Sequence, residues 1–268
     1  MGADAGRWTR PYFTPSPQRK DRAWIDLVVF THDRPALDVD LDEEDGFPPG
    51  FEFPRSLSAR SVAIDEHRDM FESYLEGAFR DLAGEQLGEA SAALDRARYG
   101  VVVEGSIPDP PDLAHLQAIR ALARYFARTA GGIAIANDLS LSWQDLRPMS
   151  NAEPPPLLRV DEWVEVLYDD EVGALHTRGM AQFARPDITV FDQPHHRLER
   201  ASQLLRHVAH LEAHGARFEG RAMLEVEGFD SSSPRVTIAL NPLESARCKA
   251  LAVAEGALVV EGWPSGIA

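Results

Sequence analysis

Residues 101–136 constrain the fold most, because they spell out a strand, a helix and a second strand in direct succession. The apolar β-branched run at 101–103 reads as the core of a strand. Asp109 is a plausible N-cap, Pro110 suits the first helical position, and Asp112 favours the positive end of a helix. Leu113, Leu116, Ile119, Leu122, Phe126 and Ala130 then recur at helical spacing as one apolar face. Gly131 and Gly132 stop the helix, and residues 133–136 return as a strand.

Around this unit the pattern mixes strands and helices without strict alternation. Residues 23–30 (AWIDLVVF) read as a buried strand and 57–64 as a second, weakly alternating one. From Asp65 the period changes: Met70, Phe71, Tyr74, Leu75, Ala78, Phe79 and Leu82 predict one amphipathic helix. Further strands are expected at 163–167, 174–176, 188–191, 223–226, 236–240 and 258–260, with a long helix over about 195–214. The fold class is therefore α+β, a mixed or antiparallel sheet packed with several amphipathic helices. Residues 1–22 form an irregular, proline-rich arm. Pro154, Pro155 and Pro156 separate an N-terminal half, 23–150, from a C-terminal half, 157–268, and the two could form one continuous domain.

Charge excludes more than it names. The net charge of -16 argues against nucleic-acid binding, which needs a basic face, and against docking on anionic membranes. No apolar segment approaches the roughly 20 residues of a membrane span, and the first residues lack a signal-peptide pattern, so a cytoplasmic protein is expected. Cys248 is the single cysteine, which rules out an intrachain disulfide or a cysteine-rich zinc site. Phosphate loops, GxGxxG, HExxH and GxSxG are all missing, so the chain leans away from enzymes.

Three constellations invite chemistry and have plainer readings. His207, His210 and His214 lie at metal-like spacing with His195, His196 and Glu199 upstream, but a helical projection places them opposite Leu204, Leu205 and Val208, on the solvent side. No metal or cofactor is expected. The acidic run 38–45 lacks the glycine and closing glutamate of a calcium loop. His115 falls on the apolar side of its helix and reads as a buried histidine hydrogen-bonded to a neighbour. Arg120, Arg124 and Arg128 form a ridge suited to internal ion pairs or to an acidic partner.

The segment 175–188, LHTRGMAQFARPDI, resists a plain strand or helix reading. Gly179 permits a turn with positive φ, Met180 and Phe183 tuck a short helical turn onto the core, and Pro186 fixes entry to the next strand. His176, Thr177, Arg178, Gly179 and Asp187 are thereby the candidate binding residues, clustered at a strand end where His and Arg could hold a carboxylate or phosphate. The alternative is structural: these residues satisfy the turn itself, for example by Arg178 pairing with Asp187.

This segment resembles the signature of a bacterial family of uncharacterised domains, in which a His-Thr-Arg-Gly run precedes a Phe-Gly-x-Pro-Asp/Glu run. The matching residues are His176, Thr177, Arg178, Gly179, Phe183, Pro186 and Asp187, with Ala184 where the family commonly has glycine. The run from Asp109 to Leu116 and Trp143 add to the likeness, which spans about 99–191. Some related domains resemble immunity or accessory proteins of bacterial conflict systems, which implies binding to another protein rather than catalysis. The expectation is a protein-binding module; the alternative is an enzyme or small-anion binder using His176, Thr177 and Arg178.

Overall fold

The computed structural model describes residues 7–15, 21–38, 46–218, 222–227, 235–243, 248, 251 and 257–261; for 222–227 and 235–237 it describes the backbone. Two sheets carry the α+β fold. The first is antiparallel, in the order β2 (Leu57–Ala63), β3 (Tyr99–Pro108), β1 (Arg22–Thr31), β4 (Gly132–Asn137), β5 (Ser142–Asp145). The second is mixed, in the order β6 (Glu165–Asp169), β7 (Ala174–Arg178), β8 (Ile188–Phe191), β11 (Leu258–Glu261), β10 (Arg235–Pro242), β9 (Ala222–Glu227). Its one parallel pairing joins β8 to β11.

Strand β1 shows why the first sheet sits centrally. Its first half alternates between exposed and buried residues, and its second half is buried throughout. That continuous burial arises because both faces are covered there. Ile25, Leu27 and Val29 face a core shared with α3 (Ala114–Thr129), α4 (Leu198–Ala213) and the second sheet. Val28 and Phe30 face Phe71, Tyr74, Leu94 and Trp143, with Phe30 and Trp143 stacked at 5.7 Å. The first core draws on residues from Trp8 to Val260, so apolar packing is continuous across the proline run at 154–156.

Two helix expectations need correction. The helix read from Asp65 is two helices, α1 (Arg68–Leu75) and α2 (Ala78–Leu87). Gly77, at φ 77°, breaks it, and the apolar period resumes at once on Ala78 and Phe79 and so hides the break. The helix read from Asp109 begins instead at Ala114, where Asp112 Oδ1 accepts the Ala114 amide at 3.0 Å. Asp109 stays outside the helix because arginines hold it, as described below. β5, centred on Trp143, is a strand that periodicity had not revealed.

On α4 the outward histidines lie where the projection put them: His207 and His210 are exposed, and the rings of His210 and His214 stand 4.2 Å apart. Among the described residues no group of three or more His, Cys, Asp or Glu could hold a metal ion. None of the helices among them is long and apolar enough to cross a membrane. Of the acidic run, only Asp38 lies within the described residues. Cys248 is buried beside Leu243 and Leu251.

The N-terminal arm is a structural member. Trp8 is 2% exposed; its amide donates to Gln117 Oε1 at 2.9 Å and its indole N–H to the Pro155 carbonyl at 3.2 Å. Leu113 donates back to the Trp8 carbonyl at 2.9 Å. The arm thus ties the start of α3 to the proline run. Trp8→Ala should destabilise the protein by about 3–5 kcal/mol, read as a lower denaturation midpoint with unchanged slope.

Candidate functional site

The candidate segment is built around the end of β7. After Arg178 the chain turns at Gly179, whose φ is 108° and where a Cβ would lie 2.3 Å from the Trp163 carbonyl oxygen. Only glycine meets both conditions. A single 3-10 turn, Met180–Phe183, follows, with both end residues fully buried. Ala184 then adopts φ 54°, ψ 40°, a left-handed conformation that costs an alanine roughly 1–2 kcal/mol. Ala184→Gly should therefore leave stability unchanged or raise it by up to about 1 kcal/mol, in contrast to the usual loss at a buried alanine, as measured by chemical denaturation.

His176, Thr177 and Asp187 are buried and bonded internally. The Thr177 hydroxyl accepts the Ile188 amide at 2.8 Å and donates to Asp187 Oδ1 at 3.2 Å. Asp187 Oδ1 also accepts the Met180 amide at 3.3 Å. Burial pushes the Asp187 carboxyl up to about 6, against the Met180 amide, the Arg178 charge and the Thr177 hydroxyl, which favour ionisation. His176 Nδ1 donates to the Thr177 carbonyl at 3.3 Å, and burial pushes its pKa down. Arg178 is half-buried, opposite Glu165 on β6. The fold brings Thr177, Gly179 and Asp187 together as the internal scaffold of a turn.

Gln182 welds that turn to the first sheet. Its amide nitrogen donates to the Trp163 carbonyl at 2.9 Å, and its Oε1 accepts Asn137 Nδ2 of β4 at 3.1 Å. Its backbone carbonyl accepts His115 Nε2 at 3.2 Å. That fixes the His115 tautomer and leaves Nδ1 as a buried acceptor without a partner among the described residues. Burial pushes His115 down to about 4, so the ring is neutral and is the buried, hydrogen-bonded histidine expected of the apolar face.

The larger polar cluster lies just beyond, on residues the pattern of the chain does not bring together. Asp109 accepts Arg10 Nη1 at 2.8 Å and Arg185 Nη1 at 3.0 Å on one oxygen, and Arg217 Nη2 at 2.5 Å on the other. Arg10 also donates to the carbonyls of Ala213, Pro110, Phe183 and Glu212. Arg185 donates to those of Ala184, Gly215 and Ala216. These two guanidinium groups cap the free carbonyls at the end of α4, where the helix dipole also favours positive charge. Glu212, 1% exposed, lies among them with Oε2 unpartnered among the described residues. Burial pushes its pKa up to about 8, and the Asp187 charge adds to this against Arg185 and Arg217. On the other face of α3, the ridge of Arg120 and Arg124 turns inward: Arg120 pairs with Glu162 and Arg124 donates to the Ala152 carbonyl.

Compared with known proteins, the chain matches no protein-family model, no curated protein and no solved structure.

A pH profile tests the cluster. Glu212 has a folded pKa of about 8 against an ordinary 4.5, so the folded state holds the extra proton between those values and loses stability as pH rises through them. His115, at about 4 against 6.5, works oppositely, but only below pH 6.5. Melting temperature should therefore fall between pH 6.5 and 8, and Glu212→Gln should flatten that fall. An unchanged slope in the variant would place the titrating group elsewhere.

Proposed function

We propose that the chain is a binding protein that captures a basic protein partner on the outer face of the first sheet. One observation carries this reading: a pair of like charges set directly opposite each other beside an exposed tryptophan. Asp26 on β1 is the register partner of Glu104 on β3. Like charges in that position destabilise a sheet. Burial pushes the Asp26 pKa up and Glu104 adds to it. Asp138, just after β4, donates its amide to the Asp26 carbonyl at 3.1 Å and takes the Tyr74 hydroxyl on its carboxylate. Burial raises Asp138 to about 6; the Tyr74 bond opposes the rise and Asp26 adds to it.

The neighbouring cations answer Glu104 but leave Asp26 without an ion-pair partner among the described residues. Arg60 lies 3.4 Å from Glu104, and Arg22 commits its guanidinium to the Ser106 hydroxyl and carbonyl. Trp24, two residues before Asp26 and so on the same face, is 52% exposed. A tryptophan face flanked by carboxylates suits an arginine or lysine from a partner, which stacks on the ring and relieves the repulsion. The net charge of -16 would steer a basic protein toward it. The likeness to immunity and accessory proteins supports the same reading. An enzyme or anion binder at His176, Thr177 and Arg178 has weaker support, because Thr177 and Asp187 already satisfy each other and the turn.

The test uses the intact protein as bait in lysate of its own host, alongside Trp24→Ala and Asp26→Asn. A basic protein held by the wild type should be lost with Trp24→Ala and weakened with Asp26→Asn. Asp26→Asn should itself be more stable by about 0.2–1 kcal/mol, because the cross-strand repulsion is gone. Identical captures by all three baits, or no basic protein on any, would defeat the proposal.

A further inference from the structure

The opposite end of the first sheet carries a second, chemically distinct feature. An open cavity of about 340 Å³ lies there, with His32, Arg96 and Arg147 around it and Ala93, Ile133 and the Gly131–Gly132 turn lining it. None of the described residues that line it is acidic, in a chain with 43 acidic side chains against 27 basic ones.

Its shape is built into the backbone. The turn between α3 and β4 is pinned to the end of β1, with the His32 amide on the Gly131 carbonyl at 3.2 Å and the Asp33 amide on the Ala130 carbonyl at 3.0 Å. A Cβ on Gly132 would lie 2.8 Å from the Ala127 backbone, so the turn must stay bare there, and Ala93 and Ile133 offer buried apolar surface beside it.

The polar side chains are unequally engaged. Arg147 pairs with Asp145 through Nε at 2.9 Å and Nη2 at 2.7 Å, and His32 Nδ1 lies 3.2 Å from Asp33. Arg96 has no hydrogen bond or ion pair among the described residues. The Ala130 and Gly131 carbonyls after α3 are already taken by the Asp33 and His32 amides.

We propose that this cavity binds a small organic phosphate. The guanidinium of Arg96, supported by Arg147, would take the phosphate oxygens in forked, charge-assisted hydrogen bonds. The volume exceeds what a bare phosphate needs and falls within the range of small-molecule sites, so an apolar group would sit against Ala93 and Ile133.

Calorimetric titration of the whole protein with phenyl phosphate, inorganic phosphate and benzoate tests this. Phenyl phosphate should bind most tightly, because it alone supplies both the dianion and the ring. Arg96→Ala should weaken it roughly tenfold or more, and the double variant with Arg147→Ala should abolish it. Both positions are exposed, so melting temperatures should stay near wild type, and a folded variant can be verified before titration. No binding of any probe at millimolar concentration, or equal binding by wild type and double variant, would overturn the proposal. Tighter binding of benzoate than of phenyl phosphate would overturn the phosphate assignment.

Discussion

Asp109 holds three guanidinium groups while almost wholly buried, and the two halves of the chain meet at that carboxylate. A buried ion cluster is tolerable only when its charges are paired and its donors filled. Here the filling is done by backbone: Arg10 and Arg185 close the end of α4, and Arg10 reaches the turn at Phe183 and the approach to α3 at Pro110. Four segments far apart in sequence therefore share one electrostatic knot. Removing the carboxylate would leave three cations facing one another in low dielectric. The arm, the start of α3, the 180–187 turn and the end of α4 hold their places together or not at all.

Around the knot the molecule separates packing from exposure. Gln182, Asn137, Thr177 and Asp187 form a buried polar seam between the sheets. The groups with unanswered charge, Asp26 at one end of the first sheet and Arg96 at the other, face solvent. The seam gives specificity of fold, and the unanswered charges are where interaction with other molecules would relieve a cost that folding leaves in place.

What the sequence could reveal followed from locality. β8 and α4 were legible because their apolar residues repeat with the period of the element, and the turn at Gly179 because glycine before Met180 and Phe183 has a local meaning. Asp109 misled as an N-cap: its local context, an acid followed by prolines, is a helix start, and only partners about a hundred residues away on either side make it an ion hub. Arg10 sits in an arm with no periodicity at all. Nothing near Glu212 in sequence shows that the end of α4 is buried. His176, Thr177 and Arg178 lie at the end of β7, but the turn beside them is held through Gln182 by Trp163, Asn137 and His115, which come together through tertiary structure alone.

The parallel pairing of β11 with β8 has a consequence for the order of assembly. β8 gains its second neighbour from residues 258–261, and Arg10 finds the Ala213 carbonyl 203 positions away. Residues up to Glu261 must therefore be synthesised before β11 can join the second sheet. The first sheet, with β1, β3, β4 and β5 drawn from the first 145 residues, can pair much earlier. Contacts of such long range fold slowly. Until β11 arrives, the nascent protein carries a finished first sheet beside an open edge at β8, and that interval is its period of greatest exposure to misassociation.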